Sequence, residues 1–142
     1  MRQLARPVVI EVNPRLAGSP DPQMVKLASG IDLVAEHSKL TTGGDVDLRK
    51  SRSQTVAVQY LVPDRDGIID WIEGGNLAAD VPGVAEVKFY VKSKTSIVRK
   101  GDYRDCIGHV IAASPTLEQS RSIVRHAIDL IHWSVTPLTT DS

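Results

Sequence analysis

A chain of 142 residues is long enough for one domain with an adequate core, or for a small piece joined to a subdomain. Its 42% hydrophobic and 24% charged content is ordinary for a soluble globular protein, and its 17 basic residues balance its 17 acidic ones. Zero net charge argues against nucleic acid or an anionic membrane as the main partner. The single cysteine, Cys106, excludes an internal disulfide and a multi-cysteine zinc site, and no apolar run approaches membrane-spanning length.

The N-terminus carries Arg2 and Arg6, but the apolar run behind them is short and contains Glu11, so no signal peptide is read and cytoplasm is the expected location. Residues 7–13, Pro-Val-Val-Ile-Glu-Val-Asn, read as a strand. Alternation puts Glu11 and Asn13 on one face and Ile10 and Val12 on the other. Pro14 keeps Asn13 extended and fixes the chain direction, leaving Arg15 just past the strand end. Two oxygen donors on one face beside a fixed cation suit a hard divalent ion and an anionic oxygen such as phosphate or carboxylate. The plainer reading of so short a motif is a strand end capped by a polar turn with a surface ion pair.

Residues 14–21 form a loop rich in Pro, Gly and Ser, and Asp21 can cap a helix with Pro22 at its first position. Gly30 interrupts that helix, and Ile31 to Ala35 begin a second short one, in which Asp32 reads as a capping or exposed acid. Residues 41–53 read as an exposed loop or linker. Arg49, Lys50 and Arg52 invite a phosphate-binding reading but are balanced by Asp45 and Asp47, as in a solvated charge run. Periodicity then changes to two. Residues 55–61 and 68–72 make two strands around the turn 63–67, expected as a hairpin; Gly74-Gly75 marks a break. Residues 84–91 alternate, with Val87, Phe89 and Val91 towards a core and Glu86, Lys88 and Tyr90 towards water. Residues 105–112 give another strand, with Gly108 at a bulge or close approach. The last helix is expected to be capped by Ser114 with Pro115 first, and to present Leu117, Val124, Ala127, Ile128 and Ile131 on one face. Trp133 to Val135 follow as a short strand or tail.

The string Ile10-Glu-Val-Asn-Pro-Arg-Leu-Ala-Gly-Ser19 closely resembles the metal-binding strand of ATP-grasp ligases. The Met24 to Val34 segment resembles the two helices that follow it there. The second half is similar, in pattern more than in diagnostic residues, to the C-terminal subdomain of ATP-grasp carboxylate–amine ligases of the amino-acid ligase type. The resemblance implies an α+β fold: the end of an ATP-grasp catalytic domain, a strand plus two short helices in residues 1–44; a linker at 45–53; and a mainly antiparallel β subdomain with one C-terminal helix at 54–142. It implies a nucleotide-binding, ADP-forming ligase using ATP as substrate and two magnesium ions. In that family a carboxylate attacks the terminal phosphate, and an amine captures the acyl phosphate. Carried over, Glu11 and Asn13 would be the metal and cofactor-binding residues and Arg15 the catalytic, phosphate- or carboxylate-holding one. Gly18 and Ser19 would shape the substrate loop.

The departures from the family are as informative. No acidic residue precedes Glu11, and neither Gly43-Gly44 nor Gly74-Gly75 has the surroundings of a phosphate-binding glycine loop. The expectation is therefore the C-terminal portion of a ligase, inactive alone, whose site is completed by a partner chain or within a homo-oligomer. The alternatives are one half of a split ligase or a non-catalytic binding or assembly module. On this expectation the apolar residues of 8–12 and 24–34 stay partly uncovered. His37, His109, His126 and His132 are scattered, with His126 and Asp129 one helical turn apart as solvent-facing residues, and Cys106 reads as a small core residue in a strand rather than a nucleophile.

Overall fold

Alternating segments need partners, and the way this chain pairs its strands organises everything else. The computed structural model describes residues 8–138. Helix α1 spans Asp21–Ser29 and α2 spans Leu33–Thr41. Strands β1 (Thr55–Leu61) and β2 (Gly67–Glu73) precede a short helix α3 (Gly75–Ala79), and β3 (Val84–Phe89) and β4 (Ser96–Ile97) follow. A 3-10 turn at Tyr103–Asp105 leads into β5 (Gly108–Ser114), α4 (Leu117–Asp129) and β6 (His132–Thr136). Among the described residues these strands form two three-stranded antiparallel sheets, ordered β1-β5-β3 and β4-β2-β6. The mainly antiparallel α+β expectation is met. No helix among the described residues is long and apolar enough to cross a membrane.

The expected β1–β2 hairpin does not form. Leu61 and Pro63 are both buried, so the connection dives into the core and carries β2 into the other sheet. There β2 pairs with β4 and β6. Sequence alternation says which face a strand buries, not which strand lies beside it. Leu61, Ile69, Ala78, Ile97, Ile107, Val110, Ala127 and Ile131 form one buried core cluster, drawn mainly from strands of both sheets and from α3 and α4. Helix α4 contributes Ala127 and covers β1 and β5.

The break at Gly74-Gly75 is a junction into α3. Gly74 lies in the left-handed region at φ 83°, and a Cβ there would stand 1.8 Å from the Leu130 carbonyl oxygen. The N-cap of α4 is Thr116, whose hydroxyl accepts from the Gln119 N–H at 3.2 Å, not Ser114. Ser114 is still the last residue of β5. Its hydroxyl donates to the Thr116 carbonyl at 2.8 Å and meets Ser120 Oγ at 2.7 Å, while Ser120 Oγ donates to the Thr55 carbonyl at 2.7 Å. Two buried hydroxyls thus tie β1, β5 and α4 together. Ser120→Ala is expected to lower stability by about 1–3 kcal/mol, because it strands a buried acceptor; urea unfolding followed by tryptophan fluorescence checks it.

Segment 45–53 contains no regular element. Its end folds back on α1: the Ser51 and Gln54 N–H groups donate to the Ser29 and Ala28 carbonyls, each at 2.9 Å. Helix α1 starts one residue earlier than expected, with Asp21 in its first turn and Pro20 as N-cap. Gly30 terminates it and Asp32 caps α2, accepting from the Ala35 N–H at 3.1 Å.

Candidate functional site

The segment carrying Glu11, Asn13 and Arg15 is not a strand. Residues 8–18 are irregular and, apart from the half-buried Leu16, exposed, with Val8 81%, Val9 78%, Ile10 97% and Val12 79% exposed; Pro7, the first residue of the expected strand, lies outside the described residues. The physical reason is that a strand is completed by a ladder, and no described strand lies beside this one. The apolar faces of 24–34 are likewise only partly covered: Val34 is exposed and Met24, Val25, Leu27 and Leu33 half-buried.

Glu11 and Asn13 are exposed and, among the described residues, accept no hydrogen bond and join no ion pair. Arg15 reaches only the Leu16 carbonyl, at 3.1 Å. As a donor set, one carboxylate and one amide oxygen fit a hard divalent cation but fill only part of an octahedral shell. Among the described residues no group of three or more His, Cys, Asp or Glu is placed to hold a metal ion. Gly18 accepts from the Asp21 N–H at 3.0 Å, and a Cβ on it would meet nothing within 4 Å, so its place is a turn that other residues would tolerate.

Ser19 is different. It lines a cleft of about 560 Å³ with Tyr60, Lys88, Tyr90, Tyr103, Arg104 and Cys106. The cleft is built on one face of the β1-β5-β3 sheet. Registry places Tyr60 of β1 and Lys88 of β3 on either side of His109 of β5. A register shift in β3 between Val84 and Glu86 sets Glu86 within reach of the same ring. His109 is fully buried, with Nε2 at 2.9 Å from Glu86 Oε1 and Nδ1 hydrogen-bonded to the Tyr90 hydroxyl. An ionised Glu86 carboxylate only accepts, so Nε2 donates to it, while Nδ1 and the Tyr90 hydroxyl share the second hydrogen bond. The Tyr60 and Tyr90 rings sit 6.2 and 5.5 Å from the imidazole, centroid to centroid. Gly108 permits the close β3–β5 approach: a Cβ there would lie 2.4 Å from the Lys88 carbonyl oxygen, the close approach expected of it.

Burial raises the affinity of the Tyr60 and Tyr90 hydroxyls for their protons, with the Asp21 carboxylate adding to the effect at Tyr60 and neighbouring Tyr60 adding at Tyr90. Burial likewise pushes the Cys106 thiol up, followed by Asp105 and Asp102, so it is no activated nucleophile. Cys106 is, however, neither in a strand nor in the core; it follows the 3-10 turn and is half-buried on the cleft. Arg104 forks onto Asp102, with Nη2 to Oδ2 at 2.5 Å, and holds that carboxyl down to about 2. Lys88 is exposed and, among the described residues, has no carboxylate partner.

The cleft wall is fastened by Asp105, a buried carboxylate that accepts from the Lys100 and Gly101 N–H groups, both at 2.7 Å. The Lys100 N–H first, and the Gly101 N–H after burial has opposed it, hold this carboxyl below its ordinary range. A carboxylate with a folded pKa below its unfolded one adds stability that is full above the unfolded value, about 4. That contribution is lost as pH falls through the lower folded value. Thermal melts from pH 6 down to pH 2 are expected to show an acid decline that is shallower in Asp105→Asn.

Sequence reasoning places Glu86, Lys88 and Tyr90 on one face but leaves them facing water, and gives His109 no partner. The available signal was a polar ring in the otherwise apolar run Ile107 to Ala113.

Comparison with known proteins identifies the class that this fold belongs to. The chain belongs to the family described as L-amino acid ligase C-terminal domain 2, whose model matches residues 59–136, and it is a ligase C-terminal domain of the ATP-grasp type. It is 50% identical over 133 residues to the uncharacterized protein y4rH of Sinorhizobium fredii, covering 94% of this chain and 28% of that protein. Among solved structures it is similar to phosphoribosylglycinamide synthetase from Anaerococcus prevotii, with TM-score 0.70 at 18% identity over 81% of this chain and 30% of that one. It is also similar to L-amino acid ligase from Bacillus licheniformis, with TM-score 0.65 at 14% identity over 81% and 29%. The chain thus spans less than a third of the length of these relatives. Residues 11–19 lie outside the family match.

Proposed function

We propose that this chain supplies the C-terminal portion of an ATP- and magnesium-dependent ligase that joins a carboxylate, such as an amino acid, to an amine through an acyl phosphate. The observation that carries this reading is the exposed string Glu11-Val-Asn-Pro-Arg15, on a segment whose apolar residues have no cover, attached to a ligase C-terminal domain. Apolar residues patterned as a strand call for a neighbouring strand, which another segment, in the same polypeptide or in a second chain, would provide.

In that assembly Glu11 and Asn13 would offer oxygens to the two magnesium ions that accompany ATP. The ions would neutralise charge on the phosphate oxygens. Arg15, always charged and fork-shaped, would hold the acyl phosphate or substrate carboxylate by paired hydrogen bonds. The turn at Gly18 and Ser19 would set the substrate loop. The carboxylate attacks the terminal phosphate of ATP and releases ADP; the amine then attacks the acyl carbon and expels phosphate. The protein's part is to align reactants and compensate charge. An ATP-consuming reaction of this kind is expected in the cytoplasm.

The boundaries 1–44, 45–53 and 54–142 follow from the same proposal, with the first segment belonging to the ATP-binding domain. ADP release by the 142-residue chain with ATP, magnesium and mixed amino acids is expected to stay at background. It is expected to appear when the chain replaces the matching 133 residues of its 50% identical relative. Turnover by the chain alone would overturn the need for another segment. A chimera inactive where its parent is active would favour a non-catalytic assembly module instead.

A further inference from the structure

We propose that the strand-patterned arm of residues 8–12 docks as an added strand on the open edge of β1 in a second copy of this chain, and that the exchange is reciprocal, giving a closed dimer. The contact itself goes beyond the ligase reading; its consequence for Glu11 rests on that reading.

Strand β1 ends the β1-β5-β3 order, so one of its backbone edges has no strand beside it among the described residues. Between that edge and α4 runs a groove of about 870 Å³, lined along the helix by Leu117, Arg121, Val124, Arg125 and Ile128, and beyond it by Trp133. No acidic side chain lines it, and Arg121 and Arg125 are exposed and join no ion pair among the described residues. An open edge over an apolar floor is a template for an extended segment, and two cations at its rim select one that carries a carboxylate. The arm has that make-up: Glu11 is the only charged residue of 8–14, and Val8, Ile10 and Val12 lie on the face opposite to it. Strand period then decides the facing. Leu61 shares the core with Ala127 of α4, so β1 turns Ala57, Gln59 and Leu61 towards the helix and the half-buried Val56 and Val58 the other way. An added strand with Glu11 on the helix side meets the two guanidiniums and lays Val8, Ile10 and Val12 beside Val56 and Val58. The arm comes from a second copy because the chain's own arm stands clear of its body, with Ile10 97% exposed. Pairing β1 with β1 of a second copy is disfavoured: the two-fold axis would stand normal to the joined sheet and bring both α4 helices, with their arginines, to one side. Reciprocal exchange covers both open edges and closes the assembly. It also holds Glu11 against arginines, so on the ligase reading the dimer is a resting form that the segment completing the metal site must displace.

Sedimentation velocity of the 142-residue chain over a range of concentrations is expected to show a monomer–dimer equilibrium. Ile10→Asp should weaken the dimer about a hundredfold or more, since an apolar contact is lost and a charge takes its place. Glu11→Arg, and separately the double variant Arg121→Glu with Arg125→Glu, should each weaken it about tenfold or more, because like charges then meet at both contacts. Mixing these two variants should restore the dimer, because every arm then meets a groove of opposite sign. An arm folded back on its own chain could not recover in this way. All the altered side chains are exposed, so melts of dilute samples should match the parent; should the double variant melt early, Arg125→Glu alone takes its place in the mixture. A chain that stays monomeric throughout, a dimer indifferent to Ile10→Asp, or no recovery on mixing overturns the proposal. So does growth into open chains instead of a closed pair. Failure of ATP turnover in the chimera would count against the ligase reading while leaving this dimer in place.

Discussion

Replacing Glu11 with alanine in the chimeric ligase is expected to lower the rate of ADP formation by about 10²–10³-fold, the scale on which a single pre-set electrostatic group acts. In the isolated chain the same change should be silent in a thermal melt. Glu11 is exposed and has no partner among the described residues, so nothing in the fold depends on it. Asn13→Ala should act in the same direction. Arg15→Lys is a sharper probe, because lysine keeps the charge and loses the fork; it is expected to impair turnover well beyond what charge alone accounts for. Turnover of Glu11→Ala equal to the parent would remove the metal role from this residue.

The second large effect is on stability. Gly74→Ala puts a Cβ 1.8 Å from the Leu130 carbonyl oxygen and 2.8 Å from its carbon, at φ 83°. The left-handed backbone costs a non-glycine residue about 1–2 kcal/mol. Displacing packed backbone costs about 1–3 kcal/mol more. A total of about 2–5 kcal/mol is a large part of the roughly 5–15 kcal/mol typical of a domain. The neighbour that must move is the chain between α4 and β6, so the loss should fall on the β4-β2-β6 sheet and its core residues Ile69 and Ile131. Chemical denaturation should show a midpoint shifted far down, or a chain that no longer folds cooperatively. A midpoint within experimental error of the parent would mean that the junction yields freely.

Local chemistry is readable in the sequence and long-range pairing is not. The α4 face is set by spacing, and Val124 and Ala127 are buried as that spacing requires, but Leu117 in the first turn is exposed and Ile131 lies past the helix end. Its cap lies two residues beyond the expected Ser114 because two hydroxyl residues flank Pro115, and which of them caps depends on where β5 ends. The β1–β2 pairing fails for a deeper reason. Both strands prefer an apolar neighbour, and the buried Leu61 and Pro63 that separate them act only once the core exists. Helix α3 is hidden by Gly74-Gly75, a pair that interrupts the chain without specifying the next element.

The two site regions differ in the same way. Glu11, Asn13 and Arg15 are conspicuous as a contiguous string, yet on the folded chain they meet no other described element. The Glu86–His109–Tyr90 set comes from two stretches of extended chain, with His109 lying 23 and 19 residues from its partners, and no local pattern announces it. It appears only when the β3–β5 register is known, because registry decides that the supposedly wet face of β3 flanks a buried imidazole.

The most direct test of the central claim is to trap the acyl phosphate as a hydroxamate. Hydroxylamine is added to the chimera, to its Glu11→Ala variant and to the isolated 142-residue chain, each with ATP, magnesium and amino acids. The account predicts hydroxamate from the chimera, dependent on both ATP and magnesium, and none above background from the variant or the isolated chain. Hydroxamate formed equally by the Glu11→Ala chimera, or by the chain on its own, would contradict it.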